Sequence, residues 1–354
     1  MRVLHLVAGA AVGGAETFCL DTVAALADSG IEQMVIGRPH PLVVERLNRL
    51  SVPFEPYAFA TTARLLGGPA YIRRTATRWR ADLVHAWMSR AASFVPADMP
   101  CPVIGWLGGY YNLKYFKTAD CLIGVTRRIG EYLVEHGVAP QRAFVCHTFG
   151  TLPDCPPVER AALGVPQGAP LLLVLSRLHW KKGIDTAIRA LTDLPDAHLC
   201  LAGEGPGRAE YEKLAGELGL ATRVHFLGWR SDRKALLEAC DICLLPSRYE
   251  PFGTVIAEAW FMKRPLVASL ADGARQYVRD GENGALFPID DPAALAQCVA
   301  RIAAEPAFAA QLVENGYRDY QAEFSREVVI DRLLGIYRQA VETGRAVQSG
   351  FRSG

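Results

Sequence analysis

Short apolar runs alternate with longer amphipathic stretches along this chain, and the whole alternation occurs twice. Residues 3–7, 35–37, 83–86, 103–106 and 121–125 read as strands, with helix-period segments such as 16–27 and 129–136 between them. The pattern restarts at 171–175 and continues through 198–202, 224–227, 242–245 and 266–268, with helices predicted over 184–194, 209–218, 234–239 and 255–262. Alternating strand and helix with short connections predicts parallel sheets covered on both faces. Residues 150–157 and 164–170 are rich in Pro and Gly and separate the two series, as a linker and a loop leading into the second. Beyond Asp290 the chain reads as helical to its end, with Asp290-Asp291 capping a helix that starts at Pro292 and residues 351–354 as a frayed tail. Two α/β units joined by one linker predict a cleft between them, with ligands beyond the carboxyl ends of the strands.

Composition narrows the class. The 354 residues are half apolar, enough for two large cores. Lys and Arg total 38 against 37 Asp and Glu, a net charge of +1 that argues against a dedicated nucleic-acid binder. No apolar stretch approaches the roughly 18–20 residues needed to span a bilayer. The nine cysteines are odd in number and scattered, and Cys240 and Cys243 lie within an apolar run, so they read as buried thiols in a reducing, cytoplasmic compartment. The N-terminal residues 1–10 read as a first buried strand rather than a signal peptide.

Charge is uneven, however. Residues 64–128 hold ten basic and three acidic side chains, and Tyr71, Ile72 and Trp79 join the basic run of 64–80. Such a segment is either a solvated helix face or a face that docks on anionic headgroups.

Three constellations carry chemistry. Gly13-Gly14-Ala15-Glu16 follows the first strand and opens a helix, as a close approach to an anion or simply as a tight turn; its spacing is not the dinucleotide fingerprint, which argues against an oxidoreductase. Arg177 and Lys182 follow the strand 171–175, placed either to hold phosphate oxygens or to form surface ion pairs. Glu250-Pro251-Phe252-Gly253-Thr254 leads into a helix that carries Glu258. The two carboxylates suit separate hydroxyl clusters of one ligand, although an acidic residue near a helix start is common in any case.

The stretch from Glu250 to Glu258 resembles the E-x7-E signature of retaining glycosyltransferases, and its E-P-F-G opening is the form found in glycosyltransferase family 4. The Gly13-Gly14-Ala15-Glu16 loop, the Arg177…Lys182-Gly183 spacing, Gly203-Glu204-Gly205-Pro206 and Phe226-Leu227-Gly228 are similar to that family in the same order. The resemblance implies a GT-B fold: two Rossmann-like doubly wound α/β domains facing a central cleft. Residues 1–157 would bind acceptor, 158–324 the nucleotide sugar, and a helix over 325–345 would cross back to the first domain.

It further implies a retaining, metal-independent hexosyltransferase with no cofactor beyond a UDP-, GDP- or ADP-sugar donor. Arg177 and Lys182 would hold the diphosphate, Glu250 the transferred sugar and Glu258 the ribose. Phe252, Gly253 and Thr254 would line the sugar and phosphate site, and Gly14 would approach the phosphates. The base would lie near Gly203, Gly205 and Arg230. His85 would touch sugar or acceptor, unless it is a structural histidine at a strand end. Relatives often carry a second His where Trp87 stands, a His near Leu107-Gly108-Gly109 and an acidic residue at Gln276. The acceptor expected is a glycolipid or a lipopolysaccharide or other cell-surface intermediate, met at the inner face of the cytoplasmic membrane. The rival reading is a non-catalytic sugar-nucleotide-binding partner of a related transferase.

Overall fold

The computed structural model describes residues 1–9, 14–60, 62–63 and 67–350, with side chains to 344; Gly13, Arg64 and the tail 351–354 lie outside the described residues. Two parallel sheets carry the chain. In the first, β1 (Arg2–Val7), β2 (Glu32–Gly37), β3 (Phe54–Pro56), β4 (Leu83–Trp87), β5 (Val103–Leu107), β6 (Cys121–Gly124) and β7 (Ala143–Val145) stand in the order β3-β2-β1-β4-β5-β6-β7. In the second, β8 (Leu171–Leu175), β9 (His198–Ala202), β10 (Val224–Gly228), β11 (Ile242–Leu245), β12 (Leu266–Ser269) and β13 (Ala285–Phe287) stand in the order β10-β9-β8-β11-β12-β13.

Every residue of β4, β5, β8 and β9 is buried, which is why these strands read as mainly apolar runs instead of alternating ones. Three strands escaped the sequence: β3, β7 and β13, each three residues long and each at a sheet edge. An edge strand is paired on one side only, so so short a one needs no apolar run to hold it. Nine free cysteines include Cys240 and Cys243, both buried, as expected of core thiols.

The chain divides into two compact units, Met1–Phe149 with Arg326–Gly354, and Gly150–Ser325. In the first unit the helix Arg326–Gly350 packs on the helix Gly14–Ala27 and on β4. Arg326 pairs with Asp28 at 2.7 Å, and the Tyr337 hydroxyl meets Nδ1 of His85 at 2.6 Å. In the second unit the helix Pro292–Ala304 starts as its sequence predicts: the Asp291 carboxylate accepts from the Ala294 N–H at 2.9 Å, and Pro292 needs no donor at the first turn.

Each sheet reverses its winding once, between β1 and β4 in the first and between β8 and β11 in the second. Loops leaving two such strands part to opposite faces and leave a crevice at the carboxyl ends. No helix among the described residues is long and apolar enough to cross a membrane.

Candidate active site

The crevice of the second unit lies between the loops after β8 and β11. The β8 loop carries Arg177 and Lys182, then turns at Gly183 into the helix Ile184–Ala190. Gly183 adopts φ 59°, and a Cβ there would run into the Pro246 carbonyl of the β11 loop. Only glycine combines that left-handed backbone with so close an approach. Backbone bonds from Arg248 and Tyr249 to the Lys181 carbonyl, at 2.8 and 3.1 Å, tie the loops together. Arg248 adds a two-pronged pairing with Asp185 at 2.9 and 2.6 Å and reaches Asp290 at 2.6 Å.

This frame brings Lys182 and Glu250 into contact. The Lys182 ammonium donates to Glu250 Oε2 at 2.5 Å, and Ser247 Oγ lies 3.4 Å from the same oxygen. The Glu250 carbonyl accepts the Gly273 N–H at 2.7 Å, which holds the loop from behind. Arg177 is exposed and forms no ion pair among the described residues, so its guanidinium fork is available to an anion. Gly253, at φ 83°, caps the helix Thr254–Phe261 without a side-chain bond to its first N–H groups, and Thr254 is exposed.

Glu258 sits deeper in that helix, 2% exposed. One carboxylate oxygen pairs with Arg233, and the other is buried with no hydrogen-bond partner. An acceptor left in that state is costly and calls for a donor from elsewhere. Arg233 was not legible in the sequence, because nothing local distinguishes it from its basic neighbour Lys234 in the same helix.

Gly203 and Gly205 let the loop after β9 lie directly against the β8 loop: a Cβ at Gly203 would strike the Ser176 carbonyl, and one at Gly205 the Leu178 carbonyl. Arg230, after β10, forks onto Asp232 at 2.7 and 2.5 Å; the pairing raises the Arg230 pKa and lowers that of Asp232. The Phe252 ring is turned into an aromatic cluster with Tyr277 and Phe324, centroids 5.8 and 5.9 Å away, so that position offers a ligand its backbone.

Gly14 and His85 belong to the first unit. Gly14 is exposed, and a Cβ there would touch nothing within 4 Å. His85, read as either a sugar or acceptor contact or a structural histidine, is wholly buried, with Nδ1 bonded to Tyr337, Nε2 buried without a partner and the ring stacked on Trp87 at 4.2 Å. Burial drives its pKa well below the usual histidine value, with His5 adding to the effect, so it is a neutral core residue. Gln276 bonds back to the Asp272 carbonyl at 3.0 Å.

The basic helix Gly68–Trp79 uses its aromatic character internally: Ile72 is buried, and Tyr71 stacks on Tyr57 at 4.9 Å while donating to Glu55 at 2.6 Å. What it shows to solvent is basic, lining a hollow of about 490 Å³ with Arg73, Arg74 and Arg78, of which Arg73 pairs with Asp98 and Arg78 with Glu55.

Residues 157–319 match the family described as Glycosyl transferases group 1, and residues 12–149 match Glycosyltransferase Family 4. The chain is 32% identical over 335 residues to the lipopolysaccharide core biosynthesis glycosyltransferase LpsE of Rhizobium meliloti (strain 1021), covering 94% of this chain and 98% of that one. The chain belongs to glycosyltransferase family 4. It is therefore an enzyme of sugar transfer, as the motif order implied. Its fold is that of the family's GT-B structures. A glycosyltransferase from Rickettsia africae ESF-5 superposes with a TM-score of 0.85 at 18% identity, covering 96% of this chain and 98% of that one. Anabaena HepE, solved in complex with UDP-glucose, gives 0.81 at 24% identity, covering 95% and 99%.

Proposed function

We propose that this family 4 glycosyltransferase moves a hexose, with retention, from a nucleoside diphosphate sugar to a hydroxyl of a lipopolysaccharide-core or other cell-surface saccharide or glycolipid. The observation that carries the reading is the meeting of Lys182 and Glu250 at the crevice, on the β8 loop that also carries exposed Arg177 and the β11 loop that leads into the helix of Glu258, one of whose oxygens is buried and unpartnered. Departure of a nucleoside diphosphate puts negative charge on its terminal phosphate. Arg177, Lys182 and the N–H groups opening the helix Thr254–Phe261 would stabilise that charge without a metal ion, and Thr254 would add its hydroxyl. Glu250 would accept hydroxyls of the transferred sugar and Glu258 those of the ribose, while the base would lie toward Gly203, Gly205 and Arg230. Gly14 would approach the phosphates from the first unit. The acceptor oxygen would attack the face the leaving group departs from, its proton passing to the leaving phosphate, so that no protein nucleophile is required.

The name of LpsE supports the acceptor class, and HepE, bound to UDP-glucose, supports a nucleotide-sugar donor. Contact with an anionic membrane face would rest on the arginines of the helix Gly68–Trp79, since exposed ion pairs such as Arg73–Asp98 hold little energy. Such contact would place the enzyme on the inner face of the cytoplasmic membrane.

Purified protein given UDP-, GDP- and ADP-sugars with lipopolysaccharide-core acceptors tests this. Release of nucleoside diphosphate, a product with the donor's anomeric configuration and a rate unchanged by chelator are expected. Lys182→Ala lowers kcat about 10²–10³-fold, and Glu250→Ala abolishes turnover. No release with any donor, or full activity in Glu250→Ala, overturns the reading. Leu107-Gly108-Gly109 offers no polar side chain, which favours a second reading as a donor-binding partner; donor binding by calorimetry without turnover on any acceptor is its signature.

A further inference from the structure

Nine large apolar side chains are exposed among the described residues, and four of them form one row in the second unit. Trp180 follows β8, Tyr249 follows β11, Leu270 follows β12 and Ile289 follows β13, and these strands are parallel neighbours in that order. Each lies just beyond its strand's carboxyl end and is between 38 and 60% exposed. Neighbouring strands stand about 4.8 Å apart, so the row is about 14 Å long. It begins at the crevice, where Trp180 stands two positions before Lys182 and Tyr249 next to Glu250. It ends at β13, the edge of the sheet.

The loops that carry the row are fastened to one another. The Tyr249 N–H donates to the Lys181 carbonyl at 3.1 Å, and the Lys181 ammonium lies 5.0 Å from the centre of the Tyr249 ring. The Leu270 N–H donates to the Phe287 carbonyl at 2.9 Å. Arg248 donates to the Trp180 carbonyl at 2.7 Å while it forks onto Asp185 and reaches Asp290, the residue after Ile289. Nδ1 of His179 accepts the Lys181 N–H at 3.2 Å. The polar groups along the row are thus spent on each other, and Leu270 and Ile289 have none to give. Such a strip holds a saccharide poorly, because sugars need free hydrogen-bonding partners. A hydrocarbon chain needs only apolar contact, and each methylene it takes out of water tightens binding about fourfold. Contiguous exposed apolar surface rimmed by polar groups marks an interaction site, and Trp and Tyr suit the end of a chain nearest its polar head.

We propose that this row seats the hydrocarbon chain of a glycolipid acceptor, leading it from the crevice out to the edge of the sheet; the assignment rests on the glycosyltransferase reading above and makes the substrate a lipid-linked saccharide. The test uses the full chain with methyl, hexyl and octyl glucoside as probes, the last two below their micelle concentrations, titrated by saturation-transfer NMR. Affinity rises with chain length, about tenfold or more from methyl to octyl glucoside. The double variant Leu270→Ser/Ile289→Ser returns octyl glucoside to the affinity of methyl glucoside. Leu42→Ser, at an exposed apolar residue of the first unit, keeps the gain. Nucleotide-sugar binding by calorimetry is the same in all three proteins. With two competent acceptors that differ only in the chain, the double variant raises the KM of the long-chain one and leaves kcat and the other KM in place. Equal affinity for the three glucosides, a gain that survives the double variant, or a dimer in sedimentation that the double variant dissociates overturns the proposal. Failure of the glycosyltransferase reading looks different: the chain-length gain and its loss in the double variant persist, while the wild type neither binds nor cleaves any nucleotide sugar.

Discussion

Trp87 is part of a buried chain of polar bonds in the first unit. Its indole N–H donates to His5 Nδ1 at 3.2 Å, His5 Nε2 meets Gln33 Oε1 at 3.2 Å, and the Gln33 amide donates to the Val23 carbonyl at 2.9 Å. The bonds assign the proton to Nε2 and require Nδ1 to stay bare. Burial pushes the His5 pKa down to about 4, against a smaller upward pull from Gln33. A histidine whose folded pKa is depressed stabilises the fold above its ordinary value near 6.5, and that stability drains away as pH falls toward 4. The loss across that window is about 3 kcal/mol. The urea midpoint of the wild type should therefore fall steadily from pH 7 to 4.5, and in His5→Leu the midpoint should start lower and fall less. Parallel slopes for the two proteins would refute the assignment to His5.

At the scale of elements, the candidate site is two loops pressed together, and their closeness depends on Gly183. Alanine there must hold a left-handed backbone, at about 1–3 kcal/mol, and must also push back the Pro246 carbonyl. Gly183→Ala should lower stability in chemical denaturation by at least that amount and weaken donor binding with it, since Lys182 precedes the hinge. Unchanged stability and binding would show that the loops have slack. The motif was legible because its residues are adjacent in sequence, and long buried strands were legible because parallel sheets demand apolar runs. The edge strands β3, β7 and β13 were not, since pairing on one side asks little of their side chains.

For the whole molecule, the last helix belongs to the unit in which the chain began. Val329, Ile330, Leu333, Leu334, Ile336 and Tyr337 are all buried. Each fully buried side chain is worth about 1.5–3 kcal/mol, so together they rival the whole net stability of a domain, about 5–15 kcal/mol. A chain cut after Ser325 should lose the fold of its first unit while residues 150–325 stay resistant to limited proteolysis. Equal protection of 1–149 with and without the helix would mean that the helix is an accessory. The near-zero net charge is an average at this scale as well: residues 1–157 hold 15 basic and 12 acidic side chains, and the excess gathers on the helix Gly68–Trp79 and its surroundings.

Sequence alone determined the two α/β units, their main strands, the helix cap at Asp291 and the loops that carry Arg177, Lys182 and Glu250. Each follows from periodicity or from rules that act across a few neighbouring residues. Tertiary structure decided which of these residues meet. Lys182 reaches Glu250 across 68 positions and Tyr337 reaches His85 across 252, and neither pairing has a local signature. Strand order, register and the direction in which each loop leaves the sheet set those encounters. The same global terms buried His85 and paired Arg233 with Glu258.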